Sequence, residues 1–408
     1  GACAGEATLM ADGNCSSGLW SRLHGPLDGD IRAARKANGS QLTRLSGMDD
    51  HFVSYGASDG ASWGWQGDDF QFPLAMSAVA VGANGTQATN GRFAIAFRGN
   101  DNADLMTTMT GYSNDWDHST AFTWASPRAA SRGQPSIAST TWGDFLVAFT
   151  DVELGNPTNS DSRQSKAVLL DDYNGRWGPF SLPTGAASAE PPAVAFVRPN
   201  SSSTGFWVLG TMDRTAPAIN IRTAPWTANK TLSWSAPVTL QLPSSATQVL
   251  ENLRPLAGFS LACKTVPFGT DDGRCIVTYA SDGSRTDEIN FKQTGFLRTA
   301  AFRVLTNGTL FGQFMGANGL AVQASTFGFS SGNKTFGSTT ATFNRRTGTW
   351  HMAWAHNDSP CYWWMRAPGG GNAWPSPSCP ISYGSNATAS PAIHHSDYWD
   401  ALLYYVTK

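Results

Sequence analysis

No stretch of the chain approaches the ~18 consecutive apolar residues of a membrane-spanning helix, so insertion into a bilayer is not expected. Charge is scarce as well: Asp, Glu, Lys and Arg make up 14% of the 408 residues, and the formal net charge is -2. Without a Lys/Arg cluster there is no footprint for nucleic acid or for an anionic membrane surface. G-x-S-x-G occurs at Gly56 to Gly60, Gly60 to Gly64 and Gly328 to Gly332, but no helical pattern follows any of them as a nucleophile elbow requires, and no Gly-rich phosphate loop opens a helix, which removes the usual serine-hydrolase and nucleotide-binding readings. The cysteines form no CxxC pattern, and no metal site is expected from them. No D-x-[DN]-x-[DN]-G loop is complete, although Asp271-Asp272-Gly273 and Asn100-Asp101-Asn102 offer oxygen ligands that leave calcium open as the one cofactor. A sustained 3.6-residue apolar period is missing too, which points away from helices and toward an all-β chain.

What is present is a repeat. A Gly-bounded turn, an alternating apolar strand and a polar exit occur at Gly91-Arg92-Phe93-Ala94-Ile95-Ala96-Phe97-Arg98 and again at Gly143-Asp144-Phe145-Leu146-Val147-Ala148-Phe149-Thr150. Looser copies lie at Gly205 to Met212, Gly273 to Ala280, Gly348 to Ala355 and Asp397 to Val406. The starts are roughly 50 to 75 residues apart, a period that argues one repeat architecture instead of separate domains.

Each copy is the second strand, b, of a four-stranded unit a to d. The second unit reads Met76 to Gly82, Phe93 to Arg98, Asp104 to Thr108 and a strand around Phe122-Thr123-Trp124. The third reads Pro135 to Thr140, Phe145 to Thr150, Lys166 to Leu170 and a strand after Trp177. For the fourth the spacing predicts Pro192 to Val197, Trp207 to Met212, Ala218 to Arg222 and Leu232 to Trp234. The fifth is expected at Pro255 to Leu261, Cys275 to Ala280, Glu288 to Lys292 and between Leu297 and Val304. The sixth is expected at Thr339 to Asn344, Trp350 to Ala355, Tyr362 to Arg366 and near Trp374.

The two ends complement each other. His51 to Tyr55 and Ala61 to Trp65 read as c and d without a and b, while Pro391 to His395 and Trp399 to Val406 read as a and b without c and d. Joined, they make one unit that closes a ring and removes its open sheet edges. The expected fold is an all-β, six-bladed β-propeller over 46–408, closed by N-terminal c and d strands and C-terminal a and b strands. Residues 1–45 fall outside the repeat and read as an N-terminal extension packed on the propeller, with one short helix within Asp30 to Arg44. Trp124, Trp177, Trp234 and Trp374 each precede a proline at the start of the outermost strand and read as packing between blades, with stacking on a sugar as the alternative.

On these residues the chain resembles the sialidase-like, Asp-box six-bladed propellers over about residues 46–408. In that family an S-x-D-x-G-x-T-W turn joins strands c and d. Ser58-Asp59-Gly60-Ala61-Ser62-Trp63 is one echo of it, and Ser113-Asn114-Asp115 with Thr123-Trp124 a longer one. Neither keeps the family's spacing, and its Arg-Ile-Pro signature is reduced to Arg254-Pro255. The resemblance implies a propeller whose chemistry, where it has any, acts on glycans.

In such a ring the b-to-c and d-to-a connections share one mouth. The polar residues leaving strand b are Arg98 with Asp101, Asp151 with Glu153, Asp213 with Arg214, Asp282 with Asp287 and Glu288, and His356 with Asp358. The d-to-a side adds Arg132, Glu190 and Arg254. Paired carboxyl groups can serve as acid and base or nucleophile on a glycosidic bond, which makes Asp151, Asp213, Asp282, Asp358 and Glu190 the catalytic candidates. Arg98, Arg132, Arg254 and His356 are the substrate-binding candidates, since arginine forks hold acidic sugars bidentately. Turn chemistry alone also favours Asp and Gly at these places, Asp282-Gly283 above all. His351, His394 and His395 read as structural residues within strands.

The expected partner is a glycan or polysaccharide. A glycoside hydrolase or other polysaccharide-cleaving enzyme with one site is favoured, because the repeats agree in apolar positions and differ in their polar exits. A lectin or a structural, adhesive surface glycoprotein is the alternative. A monomer is expected. The cysteines fall as local pairs, Cys3 with Cys15, Cys263 with Cys275 and Cys361 with Cys379, and disulfides are expected in that order. Asn14, Asn38, Asn84, Asn200, Asn229, Asn307, Asn333, Asn357 and Asn386 all head N-x-S/T triplets. With a first residue, Gly1, that is not Met, they suggest a secreted, extracellular glycoprotein whose leader has been removed.

Overall fold

A computed structural model describes the strands named below and, beyond them, residues 135, 140, 143–144, 151, 171, 192, 198–199, 204–205, 226–237, 259, 264, 273 and 305–309. These residues are mostly β, arranged as antiparallel sheets of up to four consecutive strands, with one longer sheet formed by the fusion of two such runs.

Near the start, β1 (Thr8–Leu9) pairs with β2 (Cys15–Ser16), and β3 (Trp20–Arg22) follows. The first sheet is β4 (Ile31–Arg35), β5 (Leu42–Gly47) and β6 (Val53–Ser58). The helix expected within Asp30 to Arg44 is therefore two antiparallel strands, paired from Ile31↔Ser46 to Arg35↔Leu42. Asn38-Gly39 lies between them, a hairpin signal that outweighs the helix propensity of the Ala-Ala-Arg-Lys run.

The second sheet is β7 (Ala80–Ala83), β8 (Phe93–Arg98), β9 (Leu105–Met109) and β10 (Thr123–Trp124). The third is β11 (Ser136–Ser139), β12 (Phe145–Thr150), β13 (Ser165–Leu170) and β14 (Arg176–Ser181). The fourth is β15 (Ala193–Val197), β16 (Phe206–Met212), β17 (Ile219–Pro225) and β18 (Val238–Leu240). Its last strand begins after the expected Leu232 to Trp234, because Trp234 and Leu232 turn inward against the apolar core between the third and fourth sheets.

In the fifth sheet β19 (Ser260–Cys263), β20 (Arg274–Asp282), β21 (Thr294–Val304) and β22 (Leu310–Phe311) are neighbours. The third strand is thus Thr294–Val304, which was expected to be the fourth, and pairs with β20 from Asp282↔Gly295 to Arg274↔Arg303. Phe296, Ala300 and Phe302 alternating with Leu297, Thr299 and Ala301 suit a two-sided strand better than the Glu288 to Lys292 run, which lies outside the described residues. After the small hairpin of β23 (Met315–Gly316) and β24 (Gly319–Leu320), the sixth sheet is β25 (Lys334–Asn344), β26 (Thr349–His356), β27 (Cys361–Pro368) and β28 (Ser378–Ser382). Its fourth strand lies beyond the expected Trp374. The start of β21 also pairs with the start of β25, which fuses the fifth and sixth sheets into one.

Among the described residues, the C-terminal strands β29 (Ala392–His394) and β30 (Leu402–Tyr405) do not pair with Val53–Ser58. Instead β30 takes β3 as a parallel neighbour, with Leu403 opposite Trp20 and Tyr405 opposite Arg22, giving a seventh sheet. Val53–Ser58 already has its partner in β5, so the open edge of β30 is covered by the earlier segment. Ala61 to Trp65 lies outside the described residues.

The first strand of each sheet lies against that of the next: β4 with β7, β7 with β11, β11 with β15, β15 with β19, β19 with β25, β25 with β29, and β29 with β4. Apolar seams fill the spaces between sheets. Every residue of β12 is buried, because Phe145, Val147 and Phe149 meet Ala94 and Ala96 of the second sheet while Leu146 and Ala148 belong with Phe196, Trp207 and Leu209 of the fourth. A strand covered on both faces needs an unbroken apolar run, and Phe-Leu-Val-Ala-Phe supplies it. The next seam joins Phe206, Val208 and Ile221 to Phe259, Val277 and Phe302, and hydrogen bonds cross where backbones approach. Val194 N donates to Ser136 Oγ at 3.0 Å, and Thr223 Oγ1 donates to the Gly308 carbonyl at 2.8 Å. Cys263 and Cys275 face each other across β19 and β20 and form a disulfide, as expected. The pairs 3 with 15 and 361 with 379 lie outside the described side chains. Among the described residues no helix is long and apolar enough to cross a membrane.

Candidate functional site

The candidates drawn from the b-strand exits occupy equivalent places in the sheets. Arg98 is the last residue of β8, Asp282 of β20 and His356 of β26, and Asp151 directly follows β12. For Asp151 the side chain is described: its Oδ2 lies 2.6 Å from Lys166 Nζ on the facing strand, so the carboxylate is already neutralised across the hairpin. Asp213, Asp358, Glu190, Arg132 and Arg254 lie outside the described residues, as do both calcium candidates apart from Gly273. Of the glycan-acceptor candidates, Asn229 and Asn307 are described and both are exposed. Asn14, Asn38, Asn84, Asn200, Asn333, Asn357 and Asn386 lie outside. Trp177 and Trp234 pack between the third and fourth sheets, as expected of them. His351 is fully buried in β26.

The best-defined polar cluster lies at the other end of the third and fourth sheets, where the a-to-b and c-to-d connections run. Asp144 occupies the residue before β12 and is 1% exposed. Its backbone is held by the Thr140 turn, Thr140 Oγ1 accepting from Asp144 N at 3.1 Å. Both carboxylate oxygens are used by the neighbouring sheet: Trp226 Nε1 donates to Oδ2 and Lys230 Nζ to Oδ1. The Lys230 ammonium lies 5.8 Å from the ring centroids of both Trp177 and Trp226, within cation–π range of each.

Lys230 is the one non-glycine residue among the described ones with a left-handed backbone, φ 57°. That conformation costs of order 1–3 kcal/mol and persists only where surroundings impose it. Here the turn bond from Lys230 N to the Thr227 carbonyl and the ion pair with Asp144 impose it. The ammonium has three donors, and one goes to Asp144. The arrangement thus presents a fixed cation beside two partly exposed indoles, a combination suited to holding a ring with apolar C–H faces and polar edges.

Of this cluster, sequence reasoning singled out Trp177 and passed over Asp144, Trp226 and Lys230. Its one local signal is Asp144 itself: the residue after the repeat's glycine is Arg92, Phe206, Arg274 or Thr349 in other copies, and a carboxylate only here. Lys230 and Trp226 lie more than eighty residues away, and the one mark near them is the glycan-acceptor triplet Asn229-Lys230-Thr231.

No protein-family model matches the sequence, and no curated protein does. Among solved structures, the chain is similar to the BP39L lectin from Burkholderia pseudomallei, with a TM-score of 0.55 and 15% identity over 90% of this chain and 89% of that one. Weaker likenesses are to a mutant of AofleA from Arthrobotrys oligospora, with a TM-score of 0.46 and 11% identity over 93% and 90%, and to a Hadza microbial sialidase, 0.41 and 8% over 90% and 73%. At such identity the likeness concerns fold: the chain has a propeller-type architecture.

Proposed function

We propose that this chain is a carbohydrate-recognising propeller that binds a glycan against Trp177, Trp226 and Lys230 at the seam of its third and fourth sheets. The observation that carries the reading is the strained Lys230, held by a buried carboxylate with its ammonium between two indoles. A sugar ring would stack its C–H face on an indole while the free ammonium donors take hydroxyl or carboxylate oxygens. The lectin and sialidase among the similar structures agree with a carbohydrate ligand. The succession of inner strands supports a ring of seven sheets in place of the six expected from the repeat, with β4–β6 a sheet of its own and β29, β30 and β3 another. Secretion and glycan attachment at Asn229 and Asn307 belong to the same proposal.

The test is a glycan array probed with the wild-type chain, Trp226→Ala and Lys230→Ala, each checked for its thermal transition. The expected result is saturable binding that falls at least tenfold in a folded Lys230→Ala. Equal binding by all three would refute the site.

A second reading, a glycoside hydrolase at the b-to-c end, is favoured by the polar residues that end β8, β20 and β26. There Asp151 would serve through its pair with Lys166, and Asp151→Asn should cut turnover of a susceptible polysaccharide by orders of magnitude with folding intact. Unchanged turnover in that variant and in Asp282→Asn would remove this reading.

A further inference from the structure

The same seam holds a second polar group of a different kind, at the b-to-c end. On the third sheet, Leu146, Ala148, Ala167 and Leu169 face the fourth. The two-residue period of a strand continues that face with Thr150 and Ser165, which are direct cross-strand partners. On the fourth sheet Trp207, Leu209 and Ala224 face the third, and the same period continues with Thr211, Asn220 and Arg222. Arg222 is opposite Leu209 in the register, and its side chain leans toward the b-to-c end, where Nη1 donates to Thr211 Oγ1 at 3.3 Å.

Arg222 is 1% exposed, and no carboxylate among the described residues pairs with it. Its Nε has no hydrogen-bond partner, nor have Thr150 Oγ1 and Ser165 Oγ, all three buried. Among the described residues the two carboxylates on this seam, Asp144 and Asp171, lie at its opposite end, and both oxygens of Asp144 are taken. A guanidinium remains protonated in proteins, although burial pulls its pKa below the ordinary value. An unpaired buried charge costs several kcal/mol, whereas one met by a counter-charge and by hydroxyl donors does not.

We propose that the seam between the third and fourth sheets is a binding site for a small monovalent anion of the halide class, enclosed by Arg222, Thr150 and Ser165. Arg222 supplies the charge and the Nε donor, and the two hydroxyls rotate to donate from the facing sheet. A sugar carboxylate is too large for a place whose donors are this buried. Water alone would satisfy the hydroxyls and leave the guanidinium without a counter-charge. The anion would tie two sheets together as Asp144 ties them at the other end, and the site does not depend on the glycan reading.

Crystals of the full chain grown or soaked in bromide test it directly, alongside melting of wild type and Arg222→Met in chloride and in gluconate at equal ionic strength. The expected result is an anomalous bromide peak within hydrogen-bond distance of Arg222 and a saturable rise of Tm with chloride in the wild type alone, as follows when a ligand binds only the folded state. Thr150→Val with Ser165→Ala should weaken the chloride response at least severalfold. No bromide peak, or a chloride response that Arg222→Met retains, would overturn the proposal. So would coincident chloride and gluconate curves, and loss of stability in Asp213→Asn would then identify Asp213 as the counter-charge.

Discussion

At Asp144 a single carboxylate joins two sheets: it is the acceptor for Trp226 and Lys230, and removing it leaves an indole N–H and an ammonium without their partner. Asp144→Ala is expected to lower stability by roughly 2–4 kcal/mol, the range for breaking a mostly buried charged hydrogen-bond pair, reduced because Lys230 keeps some exposure. Asp144→Asn, which retains an acceptor for Trp226, should cost less. Urea denaturation measures both, and an unchanged midpoint in Asp144→Ala would mean that the cluster holds nothing together. Gly273 makes a different demand. Its φ is 72°, and a Cβ there would run into the Val304 carbonyl, which accepts no displacement because Val304 N donates to Gly273 O at 2.7 Å. Gly273→Ala should therefore cost more than about 2 kcal/mol, well beyond the ordinary price of a left-handed alanine.

Among elements, the b strands were legible throughout, while the d strands were legible in the second and third sheets, at Thr123–Trp124 and Arg176–Ser181, and not in the later ones. Phe93 to Arg98 and Phe145 to Thr150 were expected from their apolar runs and are strands with those bounds. In Phe145–Thr150 the pattern is strong because both faces are covered. The last strands of the later sheets pair on one side only, and no comparable run marks them: the fourth sheet ends in Val238–Leu240 and the sixth in Ser378–Ser382, each after the tryptophan that was to have marked it. The expected Cys263–Cys275 bond joins β19 and β20, twelve residues apart. Reduction, or Cys275→Ser with Cys263→Ser, should destabilise by about 2–4 kcal/mol, the usual range for a loop of this size. A denaturation midpoint insensitive to reductant, with the disulfide shown reduced by mass, would contradict it.

For the whole molecule the consequential joint is β30 against β3. Deleting residues 402–408 removes the neighbour of Trp20–Arg22, and deleting residues 1–22 removes that of Leu402–Tyr405. Both truncations are expected to lower the same cooperative melting transition by several degrees, because each uncovers an edge of one sheet in a succession that returns to its start. A truncation that keeps the full Tm would show the joint to be peripheral. The stacking of separate sheets offers one reason that the candidate site was poorly legible. Asp144 and Lys230 are 86 positions apart, and their meeting depends on the stacking of two sheets and on a left-handed turn.

Local alternation and composition were enough to determine the all-β character, the b strands and the Cys263–Cys275 pairing, since each depends on residues near one another in the chain. Tertiary structure alone decided that the C-terminal strand lies parallel to Trp20–Arg22, that Asp144 meets Lys230, and that Arg222 is buried with no carboxylate partner among the described residues. Sheet edges and buried charges find their partners through space, and the side-chain period of a strand records which face a residue occupies but not which sheet lies opposite.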